Sequence, residues 1–228
     1  MARFWWGSNE KGRKIHWKNW SSLCQPKCLG GMGFRDLGVF NIALLGKKLW
    51  RLATHESSRV SRVLKAKYYP RTSILEAALG PLSSYSWKSL WSSKALVKEG
   101  MLWRVGNGRN IKIWSDPWLI DDESRFATTN ENNELCQYVE EIIDKENYTW
   151  DLQKIEGIFN DRDKHAIMAI PLSERLTDDT LTWVWSKDGH YSVKSAYTLG
   201  KSLDLDNFDH YWVEIWKAKV TPKVRHFL

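Results

Sequence analysis

The chain has 228 residues, 43% apolar content and a formal net charge of +7, so it is long enough to bury a core as one large domain or two small ones. No run of about 18 apolar residues occurs, which excludes a membrane-spanning helix on length alone. The three cysteines form an odd set in a chain too large to need disulfide staples, so the expected compartment is a reducing one.

Charge is unevenly distributed along the chain. Residues 1–120 carry 21 Lys and Arg against 6 Asp and Glu, residues 121–186 carry 6 against 16, and residues 187–228 carry 7 against 5. The stretch 121–133 is polar without a hydrophobic period, so it is interpreted as a linker. Two subdomains are predicted: a basic, Trp-rich region over 1–120, which a polyanion would attract, and an acidic unit within 134–228.

The first 34 residues combine aromatic and basic side chains. Within residues 4–23, tryptophans alternate with Lys, Arg and His around a turn at residues 9–12. The next segment, 26–34, contains Pro and three Gly and predicts an irregular loop. A phosphate cradle is the alternative, but no strand clearly precedes the loop and the dinucleotide-binding pattern is incomplete. A structural turn is therefore the interpretation.

Two helices with basic sides are predicted next. Asp36 can cap the first helix, which runs to about residue 54 with an apolar stripe made of Leu37, Phe40, Leu44, Leu45, Leu49 and Leu52. The second helix spans about 57–69, and Pro70 ends it. This helix is expected to bury Val60, Val63 and Leu64. A solvated charged face is the alternative to a binding role for either helix.

The remaining pattern predicts strands and shorter helices. Residues 102–114 alternate about a Gly-Asn-Gly turn and residues 181–194 alternate about Lys-Asp-Gly, so each is predicted as an antiparallel hairpin. Trp103 and Trp114 would face each other across the first hairpin. Helical patterns begin at Ser86 and occupy about 135–143, 152–159 and 195–203. The predicted fold class is α+β, predominantly helical with two short antiparallel β-hairpins.

The sequence offers few groups for catalysis or metal binding. A polymerase needs clustered carboxylates to hold paired divalent ions, and the adjacent aspartates at 121–122 and 178–179 are interpreted instead as turn or cap residues. Cys24 and Cys28 supply at most half of a zinc site, because tetrahedral zinc needs four ligands. No catalytic residue, metal site or cofactor is predicted.

The basic, Trp-rich first region indicates nucleic-acid binding. Lys and Arg neutralise phosphates, and exposed aromatic side chains can stack on unpaired bases. A basic globular surface with buried aromatics is the alternative. Sequence specificity is not expected, because phosphate contacts position a strand without reading its bases.

Seven segments follow one another along the chain: FWWG, HWKNWSSLCQPKCLGGMGFRDLGVFNIALLGKKLWRL, KAKYYP, SYSWKSLW, WRVGNGRNIKIWSDPWL, IPLSERLTDDTLTWVWSKDGHYSVKSAY and WKAKVTPKVRHFL. In this order they resemble plant LINE-type (non-LTR) retrotransposon reverse transcriptase polyproteins. The resemblance covers nearly the whole chain, from the region after the palm to the start of the reverse-transcriptase zinc-binding domain. The first 120 residues also resemble a plant mitochondrial open reading frame of unknown function.

The resemblance implies a role in binding rather than in catalysis. In the family the palm precedes FWWG, and the zinc ligands and ribonuclease H follow the segment that residues 222–228 match. The parent would be an RNA-directed DNA polymerase and this piece would not be an enzyme. Its basic half would contact an RNA and DNA template–primer, and its acidic unit would connect to the polymerase and ribonuclease H modules. The expected contact residues are Arg13, Lys14, Lys18, Lys47, Lys48, Arg51, Arg62 and Lys65.

Three alternatives remain open at this point. The chain could be a domesticated protein-interaction module that uses a Trp-rich surface, or a decayed transposon remnant without function. Polymerisation by this chain alone is the third, and the missing carboxylate cluster disfavours it. By resemblance the location is nuclear or cytoplasmic, with a mitochondrial one also compatible, and no membrane partner is expected.

Overall fold

The computed structural model describes residues 2–6, 8–9, 12–13, 16–121, 124–129, 136–173 and 177–203. In these ranges the fold is α+β and mostly helical, as predicted. The helices are α1 (Ala2–Trp6), α2 (Trp20–Cys24), α3 (Leu37–Thr54), α4 (Arg59–Tyr68), α5 (Tyr85–Ser92), α6 (Lys94–Gly100), α7 (Leu152–Ile158), α8 (Asp161–Met168) and α9 (Val193–Ser202). The strands are β1 (Ser8–Asn9), β2 (Gly12–Arg13), β3 (Met101–Arg104), β4 (Ile143–Asp144), β5 (Thr149–Trp150) and β6 (Thr180–Trp183). Short 3₁₀ helices occupy Lys27–Leu29 and Val139–Ile142. None of the described helices is long and apolar enough to cross a bilayer.

The central helix is α3, and its start follows the sequence prediction. The carboxylate of Asp36 accepts hydrogen bonds from the backbone N–H groups of Gly38 and Val39, at 2.9 and 3.2 Å, which satisfies two donors that a helix start leaves free. The helix packs against α4, α5, α6 and α9. Its most buried residues are Ala43, Gly46, Leu49 and Trp50.

The predicted apolar stripe of α3 is partly wrong. Leu37 and Leu44 are each 42% exposed, because the buried face is centred on the small residues Ala43 and Gly46. Small side chains there let α9 and its preceding segment approach closely, and the hydroxyl of Tyr191 donates to the backbone carbonyl of Ala43 at 2.9 Å.

The second predicted helix corresponds to α4, but its buried face was predicted wrongly. Val60 and Val63 are 62% and 66% exposed, whereas Ser61 is buried. The Ser61 hydroxyl donates to the backbone carbonyl of Leu52 at 3.1 Å. Because α4 contacts α3 through Ser61 and the partly buried Leu64, its two valines face outward.

The two hairpins predicted at 102–114 and 181–194 do not form. The strand of the first segment, β3, instead pairs antiparallel with the strand of the second, β6, in a register that places Met101 opposite Trp183 and Arg104 opposite Thr180. Trp103 therefore lies opposite Leu181 rather than Trp114. Two short hairpins do occur elsewhere: β1–β2, around the turn predicted at 9–12, and β4–β5.

Neither predicted hairpin has its second strand. In the first segment, Lys112 makes a single bridge to Tyr138 instead of continuing a ladder. In the second, the backbone N–H of Trp183, the last residue of β6, donates to the carbonyl of Gly189 at 2.8 Å, and Ser192 then caps α9. The helix predicted over 135–143 is also wrong, since Val139–Ile142 is a 3₁₀ turn followed by β4.

Two clusters of buried apolar side chains form the core. The first joins α3, α5 and α6 to β6 and α9, and contains Trp50, Trp183 and Tyr191. The second lies around Ile111, Ile113, Trp118, Trp150 and Phe159. Each cluster includes residues from both sides of segment 121–133, and the division of the chain into subdomains at that segment stays a prediction.

Candidate functional site

An open cleft lies between the C-terminal half of α3 and the β3–β6 ribbon. It has a volume of about 570 Å³. Its lining combines basic and aromatic residues with polar, apolar and acidic ones, which are Lys47, Lys48, Trp50, Arg51, Ala53, Thr54, His55, Trp103, Asp179, Thr180, Leu181, Gly189, His190 and Tyr191. We call this surface the α3 cleft.

One wall of the α3 cleft is cationic. Lys47, Lys48 and Arg51 of α3 line the cleft, and all three are exposed. In the described ranges no carboxylate lies within ion-pair distance of any of the three. Their charges are therefore available to an anionic ligand.

The floor of the cleft is formed by packed aromatic side chains. Trp50 packs edge-on against Trp183 with ring centroids 5.6 Å apart, and Tyr191 lies 4.5 Å from Trp183 and 5.8 Å from Trp50. The indole N–H of Trp183 donates to the Ser195 hydroxyl at 2.9 Å. Burial raises the pKa of the Tyr191 hydroxyl, so it stays protonated and keeps its hydrogen bond to α3.

The wall opposite α3 is formed by β3 and β6 and includes Trp103. This side chain is half-buried, and its backbone N–H donates to the carbonyl of Pro117 at 2.7 Å. The ladder partner Leu181 lines the same wall. Trp103 is thus an aromatic side chain on a hydrogen-bonded strand that lines the same cleft as the cations.

The end of this wall is fixed by Asp179. Its carboxylate accepts hydrogen bonds from the backbone N–H groups of Gly106, Gly108 and Asn110 at 2.8, 2.9 and 2.9 Å. The neighbouring Asp178 accepts from the side-chain amide of Asn107 at 3.1 Å. The aspartate pair therefore binds a loop that is distant in sequence, which the interpretation as turn or cap residues did not include, and the negative charge of Asp179 is already stabilised by three donors.

The structure brings together three of the eight predicted contact residues, Lys47, Lys48 and Arg51. Arg62 and Lys65 lie apart from them along a shallow groove on the outer face of α4, which Arg59, Val63, Ala66 and Pro70 also line. Lys65 forms an ion pair with Glu56 at 3.1 Å. These two cations therefore belong to a different surface from the α3 cleft.

The other three predicted residues lie in the first 18 residues. The ammonium of Lys18 donates to the backbone carbonyl of Gly30 at 2.7 Å, which ties it to the glycine-rich loop. Arg13 belongs to β2, but its side chain lies outside the described residues, and so does the whole of Lys14.

Sequence reasoning missed the residues of the α3 cleft that lie far from α3 in the sequence. Trp103 was expected to face Trp114, and His190 was placed in a hairpin strand. Asp179 and Trp103 are separated from α3 by between about 50 and 130 residues, and no local spacing links them to it. The Gly-Asn-Gly loop and the aspartate pair were both visible as signals, but only the fold shows that one binds the other.

The described residues contain no group of three His, Cys, Asp or Glu side chains placed to hold a metal ion. Cys24, Cys28 and Cys136 are free thiols. Burial, with Asp36 nearby, raises the pKa of the Cys24 thiol, and burial also raises that of Cys136. The interpretation of Cys24 as an ordinary buried thiol is consistent with this environment.

Comparison with known proteins identifies a family for this α+β chain with its cationic and aromatic cleft. The chain is 42% identical over 123 residues to the uncharacterized mitochondrial protein AtMg00310 of Arabidopsis thaliana, a match that covers 54% of this chain and 80% of that protein. The chain therefore belongs to the family of that mitochondrial protein.

A second Arabidopsis thaliana relative matches along the whole chain. It is named "Putative ribonuclease H protein At1g65750" and is 30% identical over 241 residues. The match covers 99% of this chain, and the chain spans 37% of the length of that relative. No family model and no solved structure matches the chain.

Proposed function

We propose that the chain is the nucleic-acid-binding, non-catalytic part of a plant retrotransposon reverse transcriptase, and that Lys47, Lys48 and Arg51 contact template–primer phosphates. The observation that carries this proposal is that three cations without an ion-pair partner among the described residues line one open cleft together with the aromatic side chain of Trp103. The resemblance to LINE-type polyproteins and the similarity to a relative named for ribonuclease H support the retrotransposon origin.

The electrostatics of the cleft favour a polyanion over a neutral ligand. Each cation that contacts a phosphate releases condensed counterions from the nucleic acid, which makes binding favourable and dependent on salt. Lys47, Lys48 and Arg51 are exposed and make no ion pair with any carboxylate in the part of the chain that the structure describes, so a bound phosphate would not have to displace one of those carboxylates. Asp179 is the carboxylate in the cleft wall, and its oxygens already accept three backbone N–H groups.

The state of the carboxylates near this cleft favours binding over catalysis. A two-metal polymerase site needs carboxylate oxygens free to coordinate ions. Here the aspartates nearest the cleft, Asp178 and Asp179, hold the loop at 106–110 in place. The cations and Trp103 line the cleft and are the groups proposed to bind the nucleic acid.

The test is a fluorescence-anisotropy titration of the full chain with labelled RNA and an RNA–DNA hybrid at two ionic strengths. The triple variant Lys47→Ala, Lys48→Ala, Arg51→Ala removes the cationic wall. The matched control is Lys88→Ala, Lys98→Ala, Lys187→Ala, which removes the same charge from exposed positions outside the cleft. The cleft variant should lose affinity and reduce the slope of log K against log salt by about 2, since each single-strand phosphate contact contributes about 0.7.

Two results would contradict the proposal. One is wild-type protein that binds no nucleic acid at low salt. The other is equal loss of affinity in the cleft variant and the control variant, which would mean that net charge alone governs binding.

A protein-interaction module is the second candidate, and the outer face of α4 is the observation that favours it. Val60 and Val63 are exposed there beside Arg59 and Arg62, and contiguous apolar surface rimmed by charge is typical of protein contacts. Binding through such a face should depend weakly on salt, whereas binding through phosphates should weaken steeply.

A further inference from the structure

We infer that the α3 cleft takes an unpaired nucleic-acid strand, with one base stacked on Trp103 and the flanking phosphates on Lys47, Lys48 and Arg51. This inference rests on the proposed function and narrows its ligand from nucleic acid in general to a single-stranded segment. The juxtaposition that carries it is that three cations of α3 and the aromatic side chain of Trp103 line one open volume.

The cations and the aromatic side chain of the cleft suit the phosphate and the base of a nucleotide. Strands are bound without sequence preference when cations follow the backbone and aromatic rings stack on the bases. In the α3 cleft the cations belong to one element, α3, and the half-buried Trp103 belongs to another, β3. A strand lying along the cleft would therefore place its phosphates and its bases on opposite sides.

Trp103 is held ready for stacking by its surroundings. Its strand pairs with β6, its backbone N–H donates to Pro117, and the loop that follows it is bound by Asp179. The indole also packs against the second apolar cluster. A side chain fixed in this way loses little conformational freedom when a base binds to it.

The size of the cleft favours an unpaired strand over a duplex. In a duplex the face of each base is covered by its neighbours, so Trp103 could stack only on a base that has left the helix. A volume of about 570 Å³ lies within the range of pockets that hold small organic ligands, which suits a single base. The aromatic residues Trp50 and Tyr191, which also line the cleft, add apolar surface for that base.

The test compares Trp103→Leu with the matched control Trp185→Leu in the full chain. Trp185 is 43% exposed and lies outside the cleft, and the thermal midpoint of each variant checks that it folds. The probes are short labelled oligouridylate and oligothymidylate strands, a duplex of equal length, and an abasic strand that retains its phosphates. Anisotropy gives the dissociation constant of each pair at one ionic strength.

The expected result is tighter wild-type binding to single strands than to duplex, and a loss of single-strand affinity of about 5- to 150-fold in Trp103→Leu, the range for one stacked base. The abasic strand should bind wild type more weakly, with no further loss in Trp103→Leu. The Trp185→Leu control should stay within twofold of wild type for every probe.

The inference would be overturned if Trp103→Leu kept wild-type affinity for single strands, or if the duplex bound more tightly than the single strands. Either result would leave the proposed function intact, provided that the cationic-wall variant still lost affinity. Absence of binding to every probe would instead contradict both.

Discussion

At the scale of single residues, Asp163 shows how this chain accommodates a buried charge. Its side chain is fully buried, and its carboxylate accepts hydrogen bonds from the backbone N–H and the hydroxyl of both Thr128 and Thr129, at 2.7 to 3.0 Å. Arg162 lies 3.0 Å from the same carboxylate. Burial alone would raise the pKa of Asp163, but the hydrogen bonds from Thr129 and Thr128 hold it below the ordinary value.

This lowered pKa predicts a loss of stability in acid. A carboxylate whose pKa is lower in the folded chain stabilises the fold above its ordinary pKa of 3.8, and this contribution is lost as pH falls through the lower folded value. The free energy of unfolding should therefore decrease below about pH 4. The Asp163→Asn variant should be less stable by about 1–3 kcal/mol near neutral pH and should show a smaller decrease in acid. Urea titrations at several pH values measure both effects.

Asp161→Asn is the matched control, because Asp161 lies in the first turn of the same helix with its side chain 92% exposed. It should leave the acid dependence close to that of the wild type. An acid dependence that is the same in wild type and Asp163→Asn would show that this carboxylate does not set it.

The sequence signals for individual residues were informative where the contact is local. Asp36 was predicted as a helix cap and is one. The aspartates at 178–179 were interpreted as turn or cap residues, and the loop that they bind 69 to 73 residues away could not be predicted, because a hydrogen bond across the fold leaves no spacing in the sequence. The sequence did not indicate that Asp163 is buried, since its partners lie in a polar segment that was interpreted as a linker.

At the scale of elements, the packing of α3 against α9 and its preceding segment depends on Gly46. A Cβ at this position would collide with the hydroxyl of Tyr191 and contact Val97. We predict that Gly46→Ala lowers the free energy of unfolding by about 1–3 kcal/mol through overpacking. The matched variant Gly157→Ala places its methyl group in open space on α7, so it should raise stability by about 0.5–1 kcal/mol through helix propensity.

Chemical denaturation of the two variants tests the pair of predictions. A Gly46→Ala variant as stable as Gly157→Ala would show that α3 and the Tyr191 side chain can separate without cost. The hydrogen bond from Tyr191 to Ala43 makes that outcome inconsistent with the described packing.

Elements could be predicted to different extents because they depend on interactions of different range. The spans of α3 and α4 followed from caps and periodicity, which act within a few residues. The outward valines of α4 were missed because the side that faces a neighbour depends on where that neighbour lies. The β3–β6 pair was missed because the sequence around each strand also fits a local hairpin. The actual pairing partner of β3 lies 80 residues further along the chain.

At the scale of the whole molecule, the first apolar cluster joins residues from 42–101 to residues from 181–199. Trp183, Tyr191, Ala196 and Leu199 contribute to it together with residues of α3, α5 and α6. We predict that a fragment of residues 1–120 lacks a cooperative thermal transition, because its largest cluster would lose these partners and β3 would lose its ladder. Circular dichroism melts of the fragment and the full chain provide the measurement.

A cooperative transition of the fragment at the midpoint of the full chain would contradict this prediction and would support an independent basic subdomain. The thermal transition of the fragment also determines whether binding can be measured on the fragment or only on the full chain. Until the fragment is known to fold, variants of the α3 cleft are meaningful only in the full chain, since β6 and His190 form part of that cleft.

The pairing of β3 with β6 has a consequence for the order in which the chain folds during synthesis. Leu102 leaves the ribosome 80 residues before its partner Thr182, which at ordinary rates of translation is a delay of roughly 4 to 16 s. Throughout that interval Trp50 has neither Trp183 nor Tyr191 to cover it, and β3 has an open edge. A nascent chain of this family would therefore expose apolar surface and an unpaired strand edge for a time. During that time chaperone binding competes with self-association.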